Sequence, residues 1–590
     1  MKQFLKIFFA SLLAFIIGLV LIFFIVIGSV SLMLSSGGDK STVITDNSIL
    51  KISFSQPLTE RSSNNPLDLI DLNNFKSKKQ PGLNDIIKCL EKAANDQKVK
   101  GIYIDVSTIQ GGMAMIEELR NALLKFKKSG KFIYAYAESY SQGAYYLASV
   151  ADNLYLNPQG TIDLHGLMTE LMFFKGTLDK LEIQPQLIRH GKYKSAGETF
   201  IKDKMSDENK SQIAAMVDNL WNNIARQISL SRSLSVSEVK NIGDSLLVRN
   251  AADAIRYKLA DKLAYKDEFI AELNKKVGLE RNEKPNLVSL NKYVDVPNLL
   301  KKKYTSDRIA VIYATGEIQS GESRSDEVMG ADEISAVIRK ARTDDKIKAI
   351  VLRVNSPGGS SLASEIIWRE AALAAKVKPL VVSMSDVAAS GGYYISCGAR
   401  KIVAQSNTIT GSIGVFGLLF NAQNMLKNKL GITIDGYKTG LYTDLGLPYR
   451  AMTPAEEKII QEQVDQIYLT FTERVSDGRK IPRADVDSLG QGRVWTGDDA
   501  LKNHLVDTLG GLNDAINIAS KMAGLDNFRV NEYPEQKQVF QQLMEDLSEN
   551  TKVWIEEHEL GEQAVYLKRL RSVLRSAGIQ TRMEYEIIFN

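Results

Sequence analysis

From Ile7 to Leu34 the chain reads IFFASLLAFIIGLVLIFFIVIGSVSLML, 28 residues without a charged side chain. A helix of about 20 apolar residues spans a bilayer core, whereas a cleavable export signal carries an apolar stretch of roughly 7 to 15 before a small-residue site. The length of the run predicts a retained anchor over residues 1–35; a long export signal that is later removed is the alternative. Lys2 and Lys6 precede the run and SSGGDKST follows it. The positive-inside rule then leaves the short N-terminus in the cytoplasm and the body on the extracytoplasmic (periplasmic) side of the cytoplasmic membrane.

Beyond the anchor the hydrophobic pattern alternates between two periods. Short β-branched runs such as Gly101 to Val106 and Ala349 to Val354 are followed by helical patterns such as Met115 to Lys128 and Ala363 to Ala375. That alternation predicts a mainly parallel sheet covered by helices. The pattern also repeats: DQKVKGIYIDVS from Asp96 returns as DDKIKAIVLRVN from Asp344, an offset of 248 residues. At the same offset GAYYLAS from Gly143 matches GGYYISC from Gly391. The chain is therefore a tandem α/β duplication, with copies over 46–280 and 306–525 and a linker over 281–305 that contains Pro285 and a lysine run. A C-terminal extension over 530–590 carries two amphipathic helical patterns, the second holding Lys568, Arg569, Arg571 and Arg575. Such helices pack on a partner subunit, touch lipid, or simply present a solvated face.

Composition narrows the chemistry. Net charge is +4, from 74 Lys and Arg against 70 Asp and Glu, with both signs interspersed, so nothing calls for a nucleic-acid partner. Cys89 and Cys397 stand far apart in the chain and read as small buried apolar residues rather than a disulfide framework. The four histidines, His165, His190, His504 and His558, show no metal-ligand spacing, so no zinc site is expected.

The candidate chemistry lies in the second copy. There the strand pattern VLRVNSPGG ends in Gly358 and Gly359, and LVVSMS leads into DVAASGGYYISCGA. Glycine-rich turns at the carboxyl ends of parallel strands are where such sheets bind ligands, and glycine lets backbone N–H groups approach closely enough to form an oxyanion hole. Ser390 would stand at the start of a helix, where unpaired amides favour developing negative charge. Small residues of this kind also serve close helix-on-sheet packing. The first copy weighs against that reading alone, because SQGAYY keeps Gly143, Tyr145 and Tyr146 but has Gln142 where Ser390 stands, and IQGG replaces PGG. One copy reads as catalytic and the other as supporting. A serine hydroxyl needs a base, and the candidates are a histidine, His165 or His190, or a lysine held uncharged. In IRHGKYKSAGETF, Arg189 and Lys192 flank Lys194 and would lower its pKa if close in space, whereas Glu198 would raise it.

The anchor, the duplication, NSPGG from Asn355, SDVAASGGYY from Ser385, TGSIGV from Thr410 and KYKSAGETF from Lys192 together resemble the long form of the signal peptide peptidase A family, also called protease IV. The resemblance implies a crotonase/Clp-protease-like domain in tandem, and a Ser/Lys dyad split between the copies, Ser390 as nucleophile and Lys194 as base. It further implies that Ser412 hydrogen-bonds the lysine amine, that Gly358, Gly359 and Gly391 form the oxyanion hole, that no cofactor is used, that signal-peptide remnants are the substrates, and that a dome-like homotetramer encloses the sites. One departure is Thr199, in GETF, where the family has proline. A second lysine, Lys438 in GYKTG, resembles the Lys194 segment and keeps a dyad within the second copy open. Two other classes remain on the residues alone, a crotonase-type enzyme acting on a coenzyme A thioester and a non-catalytic membrane scaffold.

Overall fold

The computed structural model describes residues 3–4, 6–18, 21, 44–62, 70–71, 76–77, 80–297, 304–323, 327–536 and 578–583. Among the described residues each copy builds a parallel sheet. In the first the strands run Lys262–Leu263, Asn153–Leu156, Phe132–Ala137, Val99–Ile104, Ser48–Ile52 and Leu287–Ser289. In the second the order Thr508–Leu509, Lys401–Ala404, Leu380–Ala389, Ile347–Ser356, Arg308–Thr315 and Arg529–Tyr533 repeats it strand for strand. The duplication read from the sequence is thus a duplication of topology. Sheets covered on both faces need near-continuous apolar strands, and Arg308–Thr315 and Leu380–Ala389 are buried over most of their length. Helices close the faces with apolar residues at helical spacing, as in Leu83–Asn95, where Leu83, Ile86, Ile87 and Leu90 point inward. Cys89 and Cys397 are both buried and unbridged, and burial pushes each thiol up to about 12.

Two segments extend the copies beyond their expected limits. Leu287–Ser289 and the helix Leu290–Val294, inside the stretch read as linker, complete the first sheet at its edge. Arg529–Tyr533 does the same for the second sheet, past residue 525. Both are short runs that gain pairing only from a strand far away in sequence, which no local pattern announces.

A third sheet joins the copies. Its order is Val328–Gly330, Glu317–Gln319, Gly358–Ser360, Gly578–Arg582, Val415–Asn421 and Gln184–His190. The last strand belongs to the first copy, and it pairs antiparallel with Val415–Asn421 of the second through seven residue pairs. This exchange carries the segment that follows His190 across to the second copy. No helix among the described residues is long and apolar enough to cross a membrane. Residues 22–43, which include the end of the expected anchor, and residues 537–577, which hold nearly all of the two expected amphipathic helices, lie outside the described residues.

Candidate active site

The buried strand Leu380–Ala389 ends at Ser390, whose backbone turns to φ 54 and ψ −114 before the short helix Gly391–Ser396. A positive φ in a residue with a Cβ costs of order 1–3 kcal/mol, so the surroundings must hold it. They do so by hydrogen bonds from Ser390 N to Gly411 O (2.8 Å) and from Tyr394 N to Ser390 O (2.8 Å). The helix then passes close over the strand Ile347–Ser356, where a Cβ on Gly392 would stand 2.6 Å from Ser356 O. Ser390 itself is fully buried.

Lys194 reaches this serine from the other copy. After the strand Gln184–His190 the chain turns through Gly191 (φ 102), and Tyr193 N bonds Gln491 O at 2.9 Å. The Lys194 side chain is 2 % exposed, and its Nζ donates to Ser390 Oγ at 2.9 Å and to Ser412 Oγ at 3.1 Å. The Phe416 ring lies 5.9 Å from that nitrogen. Space for the lysine comes from Gly492 (φ 82), where a Cβ would stand 2.5 Å from Lys194 N and 2.6 Å from its Cα and Cβ. Gln212, on the long helix Asp207–Arg232, fixes the same turn by donating to Tyr193 O (2.9 Å) and Ser195 Oγ (3.1 Å). Neither Gly492 nor Gln212 carries a sequence signal for this role, because each acts through backbone shape from a distant part of the chain.

Of the flanking charges, Arg189 is held by the Lys194 main chain and by Glu198. Arg189 Nη1 donates to Lys194 O (2.9 Å) and to Glu198 Oε1 (3.2 Å). Glu198, wholly buried, also accepts from Ser206 Oγ and Asn209 Nδ2. Burial would raise its carboxyl, but the Ser206 and Arg189 hydrogen bonds win and hold it below the usual carboxylate range. Of the rival bases, His165 pairs with Asp163 (2.6 Å), and His190 pairs with Asp465 (2.7 Å) and stacks on Tyr468. Lys438 lies half exposed and pairs with Asp444.

Gly358 (φ 100) and Gly359 (φ 154) adopt conformations that favour glycine. Gly358 N donates to Ser356 Oγ at 3.2 Å, and a Cβ on Gly358 would stand 2.7 Å from Gly391 N, so two of the three glycines of the expected oxyanion hole meet next to Ser390, whereas a Cβ on Gly359 would stand 2.1 Å from Ile318 O. The matching positions of the first copy do other work. Gln142 folds its amide onto the backbone, accepting from His165 N (3.0 Å) and Gly166 N (2.9 Å). Gly112 makes room for Asp386 of the second copy, whose Oδ1 accepts from Ala114 N (2.9 Å) and Met115 N (3.0 Å) at the start of the helix Met113–Lys127.

The model of peptidase family S49 matches this chain twice, over residues 125–280 and 372–526. Protease 4 of Haemophilus influenzae is 37 % identical over 83 % of this chain and 81 % of its own length. Protease 4 of Salmonella typhi is 35 % identical over 92 % of this chain and 89 % of its own length. A chloroplastic serine protease SPPA of Arabidopsis thaliana is 34 % identical over 74 % of this chain and 64 % of its own length.

Proposed function

The chain belongs to peptidase family S49, the serine peptidases that include protease 4, and on that premise we propose that it is a membrane-anchored endopeptidase with Ser390 as nucleophile and Lys194 as general base. The observation that carries this reading is the buried Lys194 amine, bonded to the Ser390 and Ser412 hydroxyls. A lysine enclosed in that way, with a polarizable ring and two hydroxyls around it, loses much of the hydration that favours its charged form. The neutral amine takes the Ser390 proton as Oγ attacks a peptide carbonyl, and the tetrahedral oxyanion forms against the N–H groups of the Gly358–Gly359 turn and Gly391. For Gly358 this requires its N–H to leave the Ser356 hydroxyl. The resulting ammonium then gives its proton to the leaving amine. The acyl-enzyme remains until water, deprotonated by the same lysine, releases it. Ser412 acts as a positioning residue that aims the amine.

Membrane attachment and substrate class belong to the same proposal. Phe4, Ile7, Phe9, Leu13 and Phe15 are each at least 60 % exposed, an arrangement suited to lipid rather than water. One relative, named a putative signal peptide peptidase in Enterococcus faecium and 36 % identical over 40 % of this chain, supports leftover signal peptides as substrates, and the dome-like homotetramer and crotonase-like repeats remain expectations from the resemblance. Labelling with a fluorophosphonate tests the nucleophile: a covalent adduct mapped to Ser390, absent from Ser390→Ala, is expected, and an adduct on any other serine refutes the assignment. Protease added to spheroplasts is expected to digest the body, and protection until lysis would reverse the topology.

A further inference from the structure

Gln491 stands at φ 55 between Gly490 and Gly492, a left-handed conformation that is costly for a residue with a Cβ. The turn it shapes holds both groups that govern the base. Gln491 O accepts from Tyr193 N (2.9 Å), Gly492 lies against Lys194, and Arg493 O accepts from Ser412 N (2.7 Å). Side chains from two helices fix Gln491 in turn. Tyr468, buried on the helix Pro454–Arg479, accepts from Gln491 N at 3.2 Å and donates to Asp487 Oδ1 at 2.6 Å. The same Asp487 oxygen, on the helix Arg483–Leu489, accepts from Gln491 Nε2 at 2.8 Å, which closes a triangle. The fit around the hydroxyl is close, since a Cβ on Gly490 would stand 3.1 Å from Tyr468 Oη. The Tyr468 ring meets the other side of the lysine. His190, the last residue of the strand that leads to Lys194, stacks on it with ring centres 3.9 Å apart, and Asp465, one turn earlier on the tyrosine's helix, pairs with His190 Nδ1 at 2.7 Å.

We propose that Tyr468 is a positioning residue for the peptidase reaction: its hydroxyl, with Asp487, holds the Gln491 turn in its left-handed conformation and its ring seats His190, so that the Lys194 amine meets Ser390 and Ser412. The proposal rests on Lys194 as the base and deepens that reading by naming what aims it. A tyrosine needed only to fill the core would need no hydroxyl. Phe471, one turn later on the same helix and fully buried, fills the core without one. The hydroxyl of Tyr468 instead bonds to a backbone N–H in a strained turn, where a small change in φ displaces the segment packed against it. From the first copy Gln212 answers it, donating to Tyr193 O (2.9 Å) and accepting from Val494 N (3.4 Å). The long helix of each copy thus grips the lysine segment from its own side. His190, a rival for the base on the sequence alone, is part of that grip.

Tyr468→Phe in the full chain keeps the ring and removes the hydroxyl. It is expected to lower kcat for a fluorogenic peptide by about tenfold while KM stays within about twofold, because the loss falls on the placement of the base and not on substrate binding. Asp487→Ala opens the triangle from its other corner and should give a loss of the same size. The two losses should not add in the double variant, since both act through one turn. Adding Gln491→Gly to Tyr468→Phe supplies the left-handed turn without the hydroxyl, and most of the lost kcat should return. Tyr145→Phe is the control: it removes a buried hydroxyl that donates to Leu259 O (3.1 Å) in the first copy, and it should cost melting temperature but not kcat. An unchanged kcat in Tyr468→Phe, additive losses with Asp487→Ala, or an equal loss in Tyr145→Phe overturns the proposal. A loss that Gln491→Gly leaves unrecovered overturns the route through the turn. Activity that survives Lys194→Ala refutes the base assignment instead.

Discussion

A lysine accepts a proton only as the free amine, and its ordinary pKa near 10.4 leaves almost none of that form at neutral pH. Peptidase activity is therefore expected to rise with pH until the Lys194 amine is fully deprotonated, and the limb should vanish with the residue. Lys194→Ala is expected to lose at least about a thousandfold in kcat/KM, within the range that a positioned base contributes. Lys438→Ala, altering a half-exposed residue paired with Asp444, should keep most of the activity. Steady-state kinetics of both, with folding checked by circular dichroism, decides the assignment; the reverse ranking moves the base to Lys438. Ser412→Ala should lower kcat with little change in KM and broaden the pH limb, because it frees the amine without removing it. At this scale the sequence was legible in part. Ser390 stood out because its counterpart, Gln142, has diverged on a shared scaffold. Lys194 is 196 positions away from Ser390 in the chain. No spacing links the two, so only the likeness of its segment to a family motif singled it out.

The elements that place the lysine are loops and edges rather than the repeat cores. The strand exchange between Gln184–His190 and Val415–Asn421 brings the turn after His190 onto Gly492, and a Cβ at Gly492 would meet the Lys194 backbone, which cannot swing aside as a side-chain tip could. Gly492→Ala is expected to reduce kcat/KM by at least about tenfold while the circular dichroism spectrum is retained, since a misplacement of about 1 Å is costly in catalysis. Gly278→Ala is the control: it shares a positive φ, 80 against 82, but has open space around it. That variant should lose a little stability and no activity. Equal losses in the two would mean that backbone strain, not the contact with Lys194, governs the effect. The pattern of strands and helices was readable because buried parallel strands and their covering helices obey local periods. Leu287–Ser289, Arg529–Tyr533 and Gly578–Arg582 were not, because strands this short take their structure from a partner, and the last follows a stretch whose pattern reads as helix.

At the scale of the whole molecule the two copies are held together by buried charge. The strand position that is Asp105 in the first copy is Arg353 in the second, and this fully buried guanidinium turns to the acids of the first copy, bonding Glu60 at 2.9 Å and Glu118 at 2.8 Å. Arg353→Met would strand both carboxylates and is expected to cost about 3–5 kcal/mol in denaturant unfolding, the usual penalty for breaking a buried pair from one side. Two further carboxyls at this interface make its stability depend on pH. Asp386 keeps some surface as a residue, but its carboxylate is wedged against Gly112, and burial pushes it up to about 7 against the pull of the Met115 and Ala114 N–H groups. Burial likewise raises Glu117 to about 7, although Asn407 N donates to it at 3.0 Å. In the unfolded chain an aspartate titrates near 3.8. Between that value and about 7 the folded protein binds more protons than the unfolded chain, so stability falls as pH rises through this window and levels off above it. For Asp386 alone the full drop is on the order of 4 kcal/mol. Asp386→Asn keeps an oxygen that accepts from Ala114 and Met115 but has no charge to desolvate, and its melting temperature should therefore gain on that of the parent chain from pH 4 to 7 and hold a constant lead at pH 8. Parallel curves across that range would mean that Asp386 is ionised in the folded protein, with the two N–H donors outweighing its burial.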